Sequence, residues 1–147
     1  MKIFIGSDHG GFNLRQDLMK YLKDSGRNVV DQGDEVLNPE DDFPQFAAKV
    51  ANAVLSSDDP DVRGILICRN GQGVCIAANR FKGIRAALGY SRVAAQSTRN
   101  DDDSNVLCLP ADVINKDEAF EIVDLWLNTP FAAAPRFIRR NKELDNL

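Results

Sequence analysis

The sequence predicts an α/β fold built on a five-stranded parallel sheet that carries helices on both faces. Short β-rich runs alternate with longer segments of helical periodicity along the whole chain, and this order is typical of parallel sheets. The 147 residues are the length of one domain. No repeat, low-complexity tract or linker divides the sequence, so we expect one domain over residues 1–147.

The first half of the chain is predicted to form two strands, two helices and a long loop. Residues 2–6 and 28–32 are apolar runs that end at turn residues, as strands do. Residues 12–23 and 43–55 repeat apolar side chains every three or four positions, which indicates amphipathic helices. The polar segment 33–42 between them is long enough to carry a function.

The second half continues the alternation around one central unit. Gly64 to Cys68 has the strongest pattern of a buried strand, and it leads through a turn with two glycines into a helix of small residues. These elements complete the predicted sheet. They are strands 64–68, 84–88 and 105–109, helices 74–80, 92–99 and 117–128, and a last helix that starts at Pro135.

Composition and charge exclude several classes of protein. Hydrophobic residues make up 44% of the chain and charged residues 27%, as in ordinary soluble domains. The net charge of −4 argues against a nucleic-acid partner, since phosphate neutralisation needs a basic face. Three cysteines are an odd number in a chain large enough to fold without disulfides. With no signal-peptide core and no apolar run of membrane-spanning length, we expect a cytoplasmic protein without a membrane partner.

Polar and glycine-rich segments accompany four of the predicted strands. Ligands of open α/β sheets bind beyond the carboxyl ends of the strands, where helix N-termini offer unpaired N–H groups. We therefore expect these segments to converge on one edge of the sheet. They are residues 7–11 after the first strand, 68–73 after the third, 89–91 after the fourth and 99–105 beside the fifth.

Cys68 is the first candidate for a reactive group. It closes an apolar strand and precedes a turn into a helix, where the helix dipole and free N–H groups favour the thiolate. Gly71 and Gly73 would let backbone N–H groups approach an anion or a developing oxyanion. The alternative is a structural cysteine beside an ordinary turn, and we interpret Cys75 and Cys108 as core residues.

Charged residues near both ends of the chain are candidates for phosphate binding. His9 is the only histidine and lies beside Asp8, so this pair could bind phosphate or move protons. Arg136 and Arg140 share one face of the last helix, where two guanidinium groups could hold a phosphate. A surface-loop histidine and a solvated basic face are the structural alternatives.

The sequence predicts no metal ion and no cofactor. The spacing of residues 101–105, with Asp112 at the twelfth position, is similar to a calcium loop. Val106 stands where that loop needs glycine, however, and a predicted strand follows at once. One histidine and three dispersed cysteines make no zinc pattern, and there is no P-loop lysine or dinucleotide fingerprint.

Several collinear motifs resemble the ribose-5-phosphate isomerase B and galactose-6-phosphate isomerase family. Cys68 to Asn79 reads Cys-x-x-Gly-x-Gly-x-x-x-Ala-Ala-Asn, which is specific to this family. The other motifs are GSDHGGF near the start, GILICRNGQGVCIAANRFKGIRAAL in the centre, Thr98 to Leu107, and the terminal arginine pair. The resemblance implies a Rossmann-like domain that forms a homodimer with active sites at the interface. It also implies interconversion of aldose and ketose phosphates without metal or cofactor.

The resemblance further implies a role for each matching residue. Cys68 matches the base that moves a proton between C1 and C2 of the sugar through a cis-enediolate. The turn from Asn70 to Gly73 would donate backbone N–H groups to the enediolate oxygen. The remaining matches are substrate contacts at Asp8 and His9, phosphate contacts at Arg136 and Arg140, and sugar-lining contacts at Asn105 and its loop.

Three places depart from the family pattern. Arg69 and Asn70 stand where the family has Gly-Thr, which puts a bulky cation beside the base, and we expect Arg69 to contact the substrate. Asp101 and Asp102 replace a His-Asn pair, so Asp101 is the expected general base in ring opening and Asp102 a substrate contact. Asp112 replaces an arginine near the phosphate, where it would repel a dianion unless it points away. The residues that could compensate for it are Arg69 and Arg139.

Three functional interpretations follow. The first is an active isomerase for ribose 5-phosphate or a related pentose or hexose phosphate. The second is a non-catalytic sugar-phosphate-binding or regulatory protein on the same scaffold, since fold does not guarantee function. The third is a thiol redox protein that pairs Cys68 with Cys75. The retention of Cys68 favours catalysis, because a binding protein has little need of an activated thiol.

Overall fold

The computed structural model describes all 147 residues, and its elements follow the predicted order. A short 3-10 helix, His9–Gly11, precedes the first α-helix. None of the helices is long and apolar enough to cross a lipid bilayer. The strands are β1 (Lys2–Ser7), β2 (Asn28–Asp31), β3 (Arg63–Cys68), β4 (Ala86–Leu88) and β5 (Val106–Pro110). The helices are α1 (Phe12–Asp24), α2 (Phe43–Leu55), α3 (Gln72–Ala78), α4 (Arg92–Asp102), α5 (Lys116–Asn128) and α6 (Pro135–Asp145).

The five strands form one parallel sheet in the order β2-β1-β3-β5-β4. β3 lies at its centre, where Ile65 pairs with Ile5 on one side and with Leu107 on the other. The three inner strands are buried almost throughout, because they have neighbours on both sides and helices above and below. The predicted α/β class and five-stranded parallel sheet are confirmed.

Helices cover both faces of the sheet, and alternate residues of β3 point to opposite faces. Ile65 and Ile67 belong to the core that α1 and α5 cover, together with the fully buried Trp126. Leu66 and Cys68 belong to a second core, which α2 and α3 cover. This alternation is the two-residue period of a strand, and it directs the Cys68 side chain toward α2 and α3.

The two edges of the sheet carry different parts of the predicted site. Because all strands run in one direction, residues that follow a strand lie at its carboxyl edge and residues that precede one lie at its amino edge. Asn105 precedes β5, where its side-chain amide donates to the Gly83 carbonyl and accepts from the Arg85 N–H, each at 2.8 Å. The prediction that residues 99–105 converge with the other polar segments was therefore wrong. They lie at the amino edge, about 15 Å from the carboxyl edge by the rise of a five-residue strand.

Candidate active site

Cys68 occupies the last position of β3, at the carboxyl edge. It is 7% exposed and lies at the end of the core that α2 and α3 cover, with a free thiol. The Cys68 carbonyl accepts from the Ala111 N–H at 3.0 Å, and the Arg69 carbonyl accepts from the Asp112 N–H at 2.8 Å. These bonds continue the pairing of β3 with the β5 side of the sheet and hold the backbone that carries the thiol.

The turn that follows β3 takes a path that only glycine allows at position 71. Gly71 has a φ of +70°, in the left-handed region. A Cβ there would lie 2.6 Å from the Leu88 side chain and 3.1 Å from the backbone of Leu109 and Pro110. Both constraints hold the N–H groups of this turn against the ends of β4 and β5. The side chain of Asn70 is exposed on the turn.

Gly73 lies in the first turn of α3 and faces α2. A Cβ at this position would lie 3.0 Å from the ring of Phe43, the first residue of α2. The missing side chain therefore lets α2 and α3 pack closely beside the turn. α3 begins at Gln72 and has seven residues; that its N-terminus favours the Cys68 thiolate stays a prediction.

The loop after β1 lies directly on the loop after β3. A Cβ at Gly11 would lie 2.6 Å from the Ile67 carbonyl oxygen, and one at Gly10 would lie 2.5 Å from Arg69 Cγ. Asp8 is 8% exposed, and its Oδ1 accepts from the Gly11 N–H at 3.2 Å, which caps the 3-10 helix. The two glycines thus bring the Asp8 carboxylate beside the end of β3.

His9 is paired with a residue that the sequence analysis did not single out, Asp41. The His9 ring nitrogen Nδ1 lies 2.7 Å from Asp41 Oδ1, and the same oxygen accepts from the His9 backbone N–H at 3.0 Å. The hydrogen bond to Asp41 raises the pKa of His9, partial burial lowers it, the charge of Asp8 raises it and that of Arg69 lowers it. The loop 33–42 was predicted to be functional, and its acidic end before α2 was the available signal for Asp41.

A buried cation anchors the start of this loop. Arg15 of α1 is fully buried; its Nη1 donates to Ser7 Oγ at 3.0 Å and its Nε lies 3.3 Å from Asp31 Oδ1. Its Nη2 donates to the carbonyl oxygen of Asp34. A Cβ at Gly33 would overlap the guanidinium group. Arg15 therefore ties the ends of β1 and β2 to the loop that carries Asp41.

Two of the residues that depart from the family pattern contact each other. Arg69 Nη1 lies 3.5 Å from Asp112 Oδ2, with the two side chains 61% and 50% exposed. An ion pair this exposed contributes only about 0–1 kcal/mol, so both groups stay accessible to a ligand. The Asp112 carboxylate thus faces the Arg69 guanidinium, and that one of the two candidate arginines compensates for it at a bound phosphate stays a prediction. Arg139 lies 4.0 Å from Glu143 instead.

The amino edge holds the predicted phosphate and ring-opening residues. Arg136 and Arg140 are exposed on α6, and the Arg136 guanidinium lies 4.7 Å from the centroid of the Phe137 ring. Asp101, in the last turn of α4, accepts from the Asn100 side-chain amide at 2.7 Å. Within one chain these residues are not brought together with Cys68.

A cavity of about 550 Å³ opens at the same amino edge, between the α3–β4 connection, α4 and the C-terminal residues. Arg85 lies in its wall, 3.1 Å from Asp103 and 2.9 Å from Asp145. Partial desolvation and the charge of Asp101 raise the pKa of Asp102, which also lines the cavity. Asn105 uses both ends of its amide within the chain, so its observed role is to hold the start of β4.

The other two cysteines lie on the same face as Cys68. Cys108 is fully buried, and burial holds the pKa of its thiol well above the usual range. Its interpretation as a core residue is confirmed. Cys75 is half-buried, its thiol donates to the Ala86 carbonyl at 3.4 Å, and the neighbouring Cys108 thiol lowers the pKa of Cys75. All three thiols are free, and the redox interpretation that pairs Cys68 with Cys75 stays a prediction.

One cluster of side chains has the spacing of a metal site. Donor atoms of Asp8, His9 and Asp41 lie within 4.8 Å of one another. Hydrogen bonds within the protein account for this closeness, since Asp8 Oδ1 accepts from Gly11 and Asp41 Oδ1 accepts from His9. We assign no metal to the cluster.

Comparison with known proteins gives consistent matches over nearly the whole chain. Residues 3–144 match the model of a family described as Ribose/Galactose Isomerase. The ribose-5-phosphate isomerase B of Escherichia coli is 38% identical over 88% of this chain and 85% of its own length. In structure, ribose-5-phosphate isomerase B of Clostridium thermocellum is 42% identical with a TM-score of 0.94, covering 99% of this chain and 96% of that one.

A second solved structure is that of ribose-5-phosphate isomerase B from Mycoplasma genitalium with bound ribulose-5-phosphate. It is 41% identical, with a TM-score of 0.94, and covers 99% of this chain and 94% of that one. Sequence and fold agree over the same span, which a shared α/β architecture alone would not produce. The chain belongs to the ribose/galactose isomerase family.

Proposed function

We propose that residues 1–147 form one sugar-phosphate isomerase domain that interconverts an aldose phosphate and its ketose, with Cys68 as the base. The observation that carries the proposal is the position of Cys68. Its thiol lies at the end of a buried strand, on a backbone that Ala111 and Gly71 hold in place. The loop with Asp8 packs against this strand end, so polar groups and the thiol share one edge.

The proposed step is a proton transfer that needs no redox partner. The Cys68 thiolate removes the C2 proton of the aldose while the carbonyl oxygen at C1 gains negative charge, which gives a cis-enediolate. The hydroxyl proton on O2 moves to O1, the thiol returns its proton to C1, and the carbonyl forms at C2, so that no proton is gained or lost overall. The N–H groups of the turn from Asn70 to Gly73 would stabilise the developing oxyanion, and the glycine-only path at Gly71 supports a preorganised turn.

The separation of the two edges supports a homodimer in which two copies share each site. Asp101 lies at the amino edge, about 15 Å from the carboxyl edge by the rise of a strand, and the Arg85–Asp145 ion pair ties α6, which carries Arg136 and Arg140, to the same edge. A two-fold axis between copies would bring the amino edge of one subunit to the carboxyl edge of the other. In this arrangement Arg136 and Arg140 bind the phosphate, while Asp101 assists ring opening and Asp102 contacts the sugar.

The substrate that these residues favour is a phosphorylated pentose or hexose. Its phosphate would meet the two α6 guanidinium groups, and Arg69 offers a further cation on the Cys68 side. The free thiols of all three cysteines favour the reducing cytoplasm as the compartment.

The decisive experiment is proton NMR in D₂O with a panel of pentose and hexose phosphates, including ribose 5-phosphate. We expect loss of the C2 proton signal with the wild-type protein, and a loss slowed at least about 1,000-fold with Cys68→Ala, because the base is gone. Sugar-phosphate affinity, from line broadening, should stay within about tenfold.

Cys75→Ala is the matched control, since it removes a half-buried thiol from the same face without touching the edge. It should exchange the C2 proton at the wild-type rate. Undiminished exchange by Cys68→Ala would remove Cys68 from the mechanism. Binding without exchange for every sugar would instead indicate a sugar-phosphate-binding protein on this scaffold.

A further inference from the structure

Asp41 is a buried carboxylate in an otherwise polar, surface-lying loop. Its side chain is only 8% exposed, although residues 35–40 before it are all exposed. Burial of a carboxylate is costly unless hydrogen bonds replace its hydration. Here Oδ1 accepts from the His9 backbone N–H at 3.0 Å and faces the ring Nδ1 at 2.7 Å. The carboxylate is thus committed to His9.

This contact determines which nitrogen of His9 is available to a ligand. A carboxylate accepts hydrogen bonds, so Nδ1 carries the proton on the side of Asp41. The second nitrogen, Nε2, has no partner within the chain, and 28% of the side chain is exposed. His9 therefore presents Nε2 at the carboxyl edge, next to Asp8 and Arg69.

We propose that Asp41 is the positioning residue of His9: it accepts the Nδ1–H and fixes the ring, so that Nε2 faces the phosphate of the bound sugar and the imidazolium form donates to it. This inference rests on the proposed function, because it takes the anionic ligand to be a sugar phosphate. In this inference Asp41 does not contact the substrate and affects its binding only through His9.

The charges around His9 make Asp41 the decisive neighbour. Asp8 and Arg69 also face the ring, and their charges act in opposite directions on its protonation. Asp8 Oδ1 is engaged with the Gly11 N–H, and Arg69 with Asp112. Asp41 is the only one of these charged neighbours that hydrogen-bonds to the ring, so its removal should lower the pKa of His9.

The position of Asp41 is set by its own loop and not by His9. Its backbone N–H donates to the Asn38 carbonyl at 3.2 Å, and the Asn38 side chain accepts from the Glu40 N–H at 3.0 Å. The start of the loop is tied to the fully buried Arg15 through Asp34. A carboxylate held in this way orders the ring before substrate arrives, which lowers the entropy lost on binding.

The first test uses the fact that the chain has a single histidine. The imidazole Hε1 signal of the ligand-free protein is therefore assigned without ambiguity. In Asp41→Asn the titration midpoint of this signal should move to lower pH. Asp41→Glu, which keeps the charge, should recover part of the wild-type midpoint. Unchanged titration in Asp41→Asn would overturn the inference, whatever the catalytic activity.

The matched control is Asp42→Asn. Asp42 is the next residue, it is exposed, and its side chain makes no hydrogen bond at the start of α2. The Asp42→Asn substitution removes the same charge from the same loop. A midpoint shift as large as that of Asp41→Asn would therefore indicate only a general charge effect and contradict a specific role of the Asp41–His9 contact.

The second test separates phosphate binding from acid–base chemistry, on whichever sugar phosphate shows C2 exchange. At about pH 7.5, Asp41→Asn should raise KM about tenfold and leave kcat within about twofold, since a charge-assisted hydrogen bond to substrate weakens. At about pH 5.5 the two proteins should have similar KM values, because His9 is protonated in both. A fall in kcat with unchanged KM would contradict the phosphate contact and make His9 a proton-transfer residue.

Discussion

The two edges of the sheet differ in how completely one chain assembles them. At the carboxyl edge, Asp8 and Cys68 are at most 8% exposed, and the side chain of Asp41 is 8% exposed. Glycines in the loops of this edge allow their backbones to pack closely. At the amino edge, Arg136 and Arg140 stand exposed on α6. The chain thus preorganises Cys68 and the polar groups beside it, and leaves the two exposed arginines of α6 for another molecule to use. Preorganisation matters most where atoms must be held in a reactive geometry.

The strongest test of this division is complementation between two inactive variants. Cys68→Ala lacks the proposed base at the carboxyl edge, and the double variant Arg136→Ala/Arg140→Ala lacks the proposed phosphate-binding pair at the amino edge. Each should be inactive alone. After unfolding and refolding together in equal amounts, half of the dimers are mixed and each has one intact site, so about a quarter of wild-type activity should return.

Activity is measured by C2 proton exchange, with each variant refolded alone as the control. Regain of activity only in the mixture requires sites shared between subunits. A mixture as inactive as its components would contradict a site shared between two subunits, since each chain would then have to supply the residues of both edges itself.

The second prediction concerns the rigidity of the carboxyl edge. Gly71→Ala should lower the rate of exchange about 100-fold, because the added Cβ moves the turn that we propose donates N–H groups to the oxyanion. Gly26→Ala is the matched control: its φ of +80° is also left-handed, but nothing lies within 4 Å of the added atom.

Both variants carry the strain of a left-handed alanine, about 1 kcal/mol of stability each. Denaturant unfolding should show that Gly26→Ala loses about this much stability, while its rate of C2 proton exchange stays at the wild-type value. Gly71→Ala should lose more stability than Gly26→Ala. Equal exchange rates in the two variants would contradict a role for the turn in catalysis.

The smallest effect is expected at Asp101, on the amino edge. Asp101→Asn should lower turnover of a cyclic aldose phosphate about tenfold, which is below the usual range for general acid–base catalysis because the ring also opens in solution. Turnover of an open-chain ketose phosphate should be unchanged. Equal losses on both substrates, compared by proton NMR, would show that Asp101 contributes to structure or binding and not to ring opening.

The secondary structure could be predicted because its signals are local. The run GILIC at the centre of the sheet and the fourfold spacing of Phe46, Val50 and Val54 are visible within one element. The predicted and observed bounds differ most where small or polar residues interrupt the apolar periodicity. α4 continues to Asp102, and β4 starts only at Ala86. Hydrogen bonding to neighbouring strands determined those bounds.

The candidate site was predictable only in part, because its contacts are not local. Cys68, Asp8 and His9 follow strands and were identified from that position. Asp41 lies 32 residues from His9 in the chain, and no pattern in the sequence pairs them. Likewise Arg69 and Asp112 are 43 residues apart, and only the pairing of β3 with β5 brings them to 3.5 Å.

The sequence by itself determined the α/β class, the order of the elements and the thiol proposed as the base, since each depends on local periodicity or on a contiguous motif. The tertiary structure decided which of the polar residues meet. A parallel sheet sends residues after a strand and residues before it to opposite edges, so the residues that precede β5 lie at the edge opposite Cys68. The burial of Asp41 beside His9 was decided in the same way, by the packing of two loops that only the folded sheet brings together.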